Sequence, residues 1–134
     1  MTRPPLIPAV VATLMLLGGV RLPLSAAEPG GKPLEVARVD RTDPVDFYRE
    51  VLPVLQVNCL PCHNKTTTKA DLLMETPADM LRGGESGPAL VPGKASESLL
   101  FQLATHLQQP RMPPKDNKVN AVNLSPQDLG LLSL

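Results

Sequence analysis

Hydrophobic positions recur at helical spacing in several short segments of the chain, each bounded by proline, glycine or polar residues. The clearest segment opens with Ser96, a candidate N-cap residue, and continues with Glu97 in the first helical turn. Its apolar positions share one helix face: Leu99, Leu100, Leu103 and Leu107. The pattern predicts a helix that ends before Pro110, because proline cannot continue the hydrogen-bond ladder.

Three further helices follow from the same kind of signal. The apolar positions of residues 45–56 predict a short helix that leads into Cys59, with Pro53 in its first turn. A second helix is predicted over Pro77–Leu81. Residues 125–128 supply an N-cap serine, a proline and an acidic third residue, which predicts a last helix. The chain stops about two turns later without a C-cap signal, so this last helix is expected to be incomplete.

Two loops of special composition lie between these helices. Gly83, Gly84 and Gly87 interrupt the chain and allow its backbone to approach closely whatever it covers. Residues 110–114 hold three prolines, which fix φ and remove N–H donors, so they predict a stiff, extended loop. Together the elements predict one small all-α domain over residues 44–134.

The first 43 residues have a different composition. Residues 6–20 are apolar and uncharged, but they are too short and too often interrupted for a comfortable membrane span. Small residues at Ser25 and Ala27 suit cleavage after Ala27, so residues 1–27 are predicted to be a signal peptide, with an uncleaved anchor as the alternative. Residues 28–43 are predicted to form a flexible linker. The domain is therefore expected in the periplasm or cell envelope, with no integral membrane span after signal cleavage.

Charge and composition narrow the possible partners. Cleavage after Ala27 would remove two arginines and no acid, which leaves 11 basic and 13 acidic residues. This balance does not indicate nucleic-acid binding.

The chain has only three aromatic residues, so aliphatic side chains or a bound apolar group must fill the core of so small a domain.

Both cysteines of the chain lie in the segment Cys59-Leu60-Pro61-Cys62-His63, which has the C-x-x-C-H spacing of c-type haem attachment. Thiols three residues apart on a helical turn lie on one side and can add to the two vinyl groups of one haem. His63 would then be the proximal iron ligand, and its other ring nitrogen is expected to donate to a backbone carbonyl, with a nearby proline as the candidate. A haem would also supply the missing apolar centre of the core.

Three other uses of these residues stay open. A thioredoxin-like dithiol would need a βαβ pattern, which is absent from the sequence. A zinc site could combine Cys59, Cys62, His63 and His106, although the adjacent Cys62 and His63 would converge on one small ion only with difficulty. A structural disulfide would leave His63 unexplained and would close only a small loop.

The second axial position of a haem iron has four candidate ligands. Met112 is favoured because the prolines on both sides hold it on a stiff loop well after the attachment motif. Met74 and Met80 lie among leucines at a spacing typical of core residues. His106 lies at the end of the leucine-rich helix, where a histidine is usually solvated, and its ligation would give a haem of lower potential.

With these residues identified, the chain resembles the planctomycete-type cytochrome c domain over residues 45–134. The resemblance is carried, in order, by Val45-Asp46-Phe47, Val54-Leu55, the Cys59–His63 motif, Gly84-Glu85-Ser86-Gly87, Val91-Pro92-Gly93, Ser98-Leu99-Leu100 and Arg111-Met112-Pro113-Pro114. It implies a class I cytochrome c-like helical fold wrapped around one covalent haem c, attached at Cys59 and Cys62 and ligated by His63 and Met112. It also implies a longer parent chain with further domains, and a last helix that packs against the first.

The leading functional hypothesis is a one-electron carrier rather than an enzyme, in which Met112 leaves no open position on the iron. Its partner would be a redox protein or a fused domain. The competing hypothesis is a haem enzyme or gas-binding sensor with an open or labile sixth position, for which His106 and Arg111 are the polar distal candidates. A third is a haem with a purely structural role.

Overall fold

A computed structural model describes residues 32–134, so the predicted signal peptide, residues 1–27, lies outside the described residues. The described part contains no strand and four short α-helices: α1 (Leu52–Asn58), α2 (Pro77–Arg82), α3 (Leu99–Ala104) and α4 (Pro126–Leu132). A π-helical turn, Phe47–Val51, leads into α1, and 3-10 turns at Lys69–Asp71 and Ala95–Glu97 precede α2 and α3. This architecture confirms the all-α prediction. Among residues 32–134 no helix combines the length and the hydropathy that crossing a membrane requires.

The start signal of α4 operates as the sequence predicts, and α2 also begins with a side-chain cap. The side chain of Thr76 caps α2 by accepting from the main-chain N–H of Asp79 at 3.1 Å. At α4, the Ser125 hydroxyl accepts from the Asp128 N–H at 3.1 Å, and the Asp128 carboxylate accepts from the Ser125 N–H at 3.3 Å. This reciprocal capping box satisfies two amides that a helix start otherwise leaves unpaired.

Helix α1 begins with proline in its first turn and leads directly into Cys59, as predicted. The turn before it is capped by Asp46, whose side chain accepts from the main-chain amides of Tyr48 and Arg49. The helix buries Leu55 completely. Pro53 lies in the first turn of α1, where proline is common.

Helix α3 is shorter than predicted. Its N-cap is Ser98 rather than Ser96, which lies in the preceding 3-10 turn, and its last residue is Ala104. His106 has a left-handed φ of 64°, which turns the chain out of the helix. Leu107 is consequently 58 % exposed instead of lying on the buried face. The predictions that Ser96 caps this helix and that Leu107 lies on it are therefore wrong, whereas the end before Pro110 is confirmed.

The segment 32–43, which was expected to form part of a flexible linker, is extended and forms no helix. Its main chain is nevertheless bound to the helical part at two points. The amide of Leu34 donates to the carbonyl of Thr105 at 2.8 Å, and the amide of Ala37 donates to the carbonyl of Pro126 at 2.8 Å. Gly130 permits this approach, because a Cβ atom there would overlap the Ala37 carbonyl. These residues therefore lie against the start of α4 and the end of α3.

The buried hydrophobic residues form two clusters rather than one continuous core. The first combines five buried residues: Val51, Leu55, Met74, Met80 and Ala89. The second combines Ala104, Leu124 and Leu129, with Leu34, Val54 and Leu132 packed against it. Val54 belongs to α1 and Leu132 to α4, so the first and last helices contribute to the same cluster. A cavity separates parts of the two clusters, and it contains the candidate site.

Candidate functional site

The cavity has a volume of about 270 Å³, close to the lower end of the roughly 300–1,000 Å³ found for ligand sites. It is lined by all four residues that the sequence singles out: Cys59, Cys62, His63 and Met112. The first core cluster contributes Met74 and Ala89 to its wall, and the second contributes Ala104 and Leu124. A group filling the cavity would therefore contact both clusters, which Leu132 also packs against.

The two cysteines lie on one hydrogen-bonded turn at the end of α1. The amide of Cys59 donates to the Leu55 carbonyl at 2.8 Å, which continues the helix. The amides of Cys62 and His63 both donate to the Cys59 carbonyl, at 3.1 Å and 3.0 Å. This tight turn brings both thiols and the imidazole to the wall of the same cavity.

The thiols are not joined by a disulfide. Burial, together with a smaller contribution from the neighbouring Cys62, raises the pKa of Cys59 to about 12. A dithiol that works by disulfide exchange needs the opposite, a lowered pKa that produces thiolate. The raised pKa thus disfavours the thioredoxin-like interpretation of this motif, and the free thiols do not support the structural disulfide.

His63 is held in one tautomer by the main chain. Its Nδ1 atom lies 3.1 Å from the carbonyl oxygen of Lys69. A carbonyl can only accept, so Nδ1 carries the proton and donates, which leaves the lone pair on Nε2 free. Burial lowers the pKa of His63, although the carbonyls of Lys69 and Leu72 act in the other direction. The imidazole is therefore neutral and suited to bind a metal through Nε2. The expected backbone acceptor exists, but it belongs to Lys69 and not to a proline.

Met112 reaches the cavity from a separate segment of the chain. Its main-chain amide donates to the carbonyl of Leu103 at 3.1 Å, and this bond fixes the proline-rich loop to α3. Leu103 and Met112 both line the cavity. The loop is not helical, as its prolines predict, and the Gln109–Pro110 and Met112–Pro113 peptide bonds are cis. Met112 is thus a thioether held at the wall by main-chain contacts.

The other candidate ligands are placed differently. Met80 is buried in the first core cluster and does not line the cavity. Met74 belongs to the same cluster and lines the cavity, but its main-chain amide donates to the His63 carbonyl at 3.1 Å, so its backbone is tied to the His63 segment. Both observations agree with the prediction that these methionines fill the core.

His106 does not line the cavity. It is only 7 % exposed, so the prediction of a solvated helix-terminal histidine is wrong. The left-handed turn after α3 directs it inward, and burial lowers its pKa, as does the nearby Arg111. In residues 32–134 no group of three or more His, Cys, Asp or Glu side chains could hold a metal ion, so the zinc site combining His106 with the motif is not assembled.

Apart from the attachment motif and Ser86, the polar side chains of the wall are amides. Neither His106 nor Arg111, the two distal candidates of the enzyme hypothesis, lines the cavity. Asn117 does, and its side chain organises the loop around it: Nδ2 donates to the carbonyls of Pro114 and Ala121 at 2.7 Å and 2.8 Å, while Oδ1 accepts from the Ala121 amide at 2.8 Å. Sequence reasoning missed Asn117, although asparagine after a proline-rich run is a turn signal that could have indicated it.

The donor set fits a c-type haem. Two thiols, one neutral histidine with a free Nε2, and one thioether on a fixed loop all face the same, mainly apolar cavity. A haem needs an apolar enclosure and two axial ligands of these types. The residues present therefore suit this cofactor better than a bare metal ion.

One comparison with known proteins bears on this site. Residues 59–116 match the family model described as planctomycete cytochrome C, which confirms the resemblance drawn from the sequence. The match begins at Cys59 and extends past Met112, so it contains all four candidate residues. It indicates a c-type haem protein. No curated protein and no solved structure matches the chain.

Proposed function

We propose that the chain, whose residues 59–116 match the planctomycete cytochrome c family, is an exported one-electron carrier that holds one haem c. The observation that best supports this proposal is the hydrogen bond from His63 to the Lys69 carbonyl, because it leaves Nε2 unprotonated at the wall of an apolar cavity. The electron partner would be a separate redox protein or a domain fused to this one.

Each of the four residues would have a defined role. Cys59 and Cys62 would form the two thioether bonds, and His63 and Met112 would be the axial iron ligands. When bound, the haem supplies an iron that takes up and releases one electron. His63 needs to lose no proton before it binds, since burial keeps its pKa low. The bond between Met112 and Leu103 holds the second ligand in place, and the apolar wall limits access of water.

A first experiment tests covalent attachment. The chain is expressed with its signal peptide and a haem-attachment system in the periplasm, and the red colour is measured after acid–acetone extraction. We expect the colour to stay with the protein, and to be lost on extraction from the Cys59→Ala/Cys62→Ala double variant. Haem that washes out of the wild-type protein, or a colourless protein, would contradict the proposal. Deletion of residues 2–27 should abolish attachment, because the chain would then stay in the cytoplasm.

A second experiment tests the axial ligand. Met112→Leu removes the thioether with little change of volume, and Met74→Leu is the matched control because Met74 also lines the cavity. We expect the weak far-red sulfur-to-iron band of the ferric protein to vanish in Met112→Leu and to remain in Met74→Leu. Loss of the band in Met74→Leu but not in Met112→Leu would show that Met74 is the ligand and would contradict the proposal.

The same samples separate the carrier from the haem enzyme or gas sensor. With Met112 as the sixth ligand, the ferrous wild-type protein should not bind carbon monoxide at neutral pH, whereas Met112→Leu should bind it. Ready binding by the wild-type protein would favour the open-site alternative. Slow, inaccessible reduction by small mediators would favour a structural haem.

A further inference from the structure

The carbonyl that accepts from His63 belongs to a segment with an uncommon backbone. Directly after Lys69, both Ala70 and Asp71 have left-handed φ values, 54° and 51°. Such a φ is unfavourable for alanine and less so for aspartate. Two in succession persist only where surrounding contacts impose them. The segment must therefore be held from outside.

A turn from another part of the chain contacts this segment. The main-chain amide of Glu85 donates to the Ala70 carbonyl at 2.8 Å. Gly84 packs so closely against the same residues that a Cβ atom would overlap the Ala70 carbonyl and lie 2.9 Å from the Leu72 nitrogen. Gly84 does not have a left-handed φ, so the requirement for glycine there comes from this close approach alone.

The contacting turn is itself closed by main-chain bonds. The amide of Gly84 donates to the Gly87 carbonyl at 3.1 Å, and the amide of Gly87 donates back to the Gly84 carbonyl at 2.9 Å. On the other side, the amide of Lys69 donates to the Cys62 carbonyl at 3.0 Å. Lys69 is thus fixed between the attachment motif and the 84–87 turn.

We propose that Gly84 and the Glu85 amide are positioning elements for His63: by holding Ala70, they direct the Lys69 carbonyl at Nδ1 and so set the strength of that hydrogen bond. The effect on the iron rests on the proposed function. A stronger bond from Nδ1 makes the ligating imidazole a better electron donor, which favours ferric iron and lowers the reduction potential. Weakening the contact between Gly84 and Ala70 should therefore raise the potential.

The test compares two glycine variants. Gly84→Ala introduces the overlap with Ala70, whereas Gly93→Ala is the control, because Gly93 has a φ of 70° but nothing within 4 Å of its added Cβ. Both variants should lose stability, the first by overlap and the second by backbone strain. Only Gly84→Ala should raise the potential of the haem protein and speed solvent exchange of the His63 Nδ1 proton, by about tenfold for the loss of one hydrogen bond.

A second pair keeps the proposal testable if Gly84→Ala does not fold. Glu85→Pro removes the amide that donates to Ala70, at the second position of a tight turn where proline is commonly found. Glu85→Ala keeps that amide and removes only the carboxylate. We expect Glu85→Pro to shift the potential and the proton exchange in the same direction as Gly84→Ala, and Glu85→Ala to match the wild-type exchange rate.

The outcomes separate the two proposals. A haem protein whose potential and His63 proton exchange are the same in Gly84→Ala, Glu85→Pro and their controls overturns the positioning role and leaves the carrier function intact. A wild-type protein without covalent haem overturns the carrier function. In that case the nitrogen chemical shifts of His63 still decide the positioning role: it requires the Nδ1–H tautomer in the wild type and a mixture of tautomers in Glu85→Pro, and identical shifts in both overturn it.

Discussion

The main-chain amide of Leu34 lies 2.8 Å from the carbonyl oxygen of Thr105 and donates to it. Thr105 directly follows α3, at the point where the chain leaves the helix. The segment that precedes the attachment motif is thereby joined to the element that carries Leu103 and, through it, Met112. Contacts far from the cavity thus support the loop of the proposed second ligand.

Leu34 should therefore contribute to stability. Its side chain packs against the cluster of Ala104, Leu124 and Leu129, so we expect Leu34→Ala to lower the free energy of unfolding by about 1–2 kcal/mol, as befits a half-buried leucine. The measurement is urea unfolding followed by circular dichroism. Val36→Ala is the control, since Val36 is 38 % exposed. Equal effects of the two substitutions would mean that the segment does not pack as described.

The two serines proposed as helix caps from sequence should differ. Ser125→Ala removes a hydroxyl that accepts from the Asp128 amide, so we expect a loss of about 1 kcal/mol in unfolding free energy. Ser96→Ala should change it by less than about 0.5 kcal/mol, because Ser96 is exposed and α3 begins after Ser98. A larger cost for Ser96→Ala, measured by thermal unfolding, would restore the longer helix that the sequence predicts.

Gly130→Ala should lower the stability of the protein, which is the opposite of what helix propensity predicts. Alanine is favoured over glycine by about 1 kcal/mol inside a helix, yet a Cβ atom at Gly130 would overlap the Ala37 carbonyl and lie 2.9 Å from Cγ2 of Val39. We expect a net loss of at least about 1 kcal/mol, because two backbones must separate. Gln127→Ala, on the exposed side of α4, should be neutral or slightly stabilising. Stabilisation by Gly130→Ala in chemical denaturation would show that residues 37–39 do not contact α4.

Stability should fall in acid because of an ion pair near α1. Hydrogen bonds from Arg41, at 2.6 Å, and from the Asp46 amide lower the pKa of Glu50 below its usual value. The unfolded chain therefore takes up this proton at a higher pH than the folded one, and the stabilisation present at neutral pH is lost below roughly pH 4.5.

The Glu50→Gln variant tests this dependence. It should be less stable than the wild type at neutral pH, and its urea midpoint should fall less steeply between roughly pH 5 and pH 3. Glu35→Gln, at an exposed position, should keep the wild-type slope. Parallel curves for Glu50→Gln and the wild type would exclude Glu50 as a source of the acid sensitivity.

The sequence predicted those features of the fold that depend on residues close together in the chain. The capping box of α4 and the proline in the first turn of α1 act over a few residues, and each has the predicted result. The spacing of Cys59, Cys62 and His63 also acts locally and brings the three residues to one cavity, while their attachment to a haem stays a prediction. The non-helical loop of Met112 is local in the same sense, since its prolines exclude a helix. The structure brings Met112 to the cavity wall, and its role as an iron ligand stays a prediction.

The misjudged features depend on contacts between distant residues. The leucine pattern does not predict where α3 ends, because the end depends on two other features. His106 adopts a left-handed φ, and the Thr105 carbonyl accepts a hydrogen bond from the Leu34 amide. The acceptor for His63 is a main-chain carbonyl of Lys69, and any residue type carries such a group. No side-chain pattern could have identified it.

The division of the core into two clusters has a consequence for how the protein is made. None of the four described helices exceeds seven residues, and helices of this length do not persist alone in water. A haem that filled the cavity would cover the Cys59 thiol, which lies at its wall, so we expect the thiol to be most accessible while the chain is still unfolded. We therefore expect biogenesis to follow a fixed order, in which the attachment machinery acts on a largely unfolded polypeptide and compaction comes afterwards.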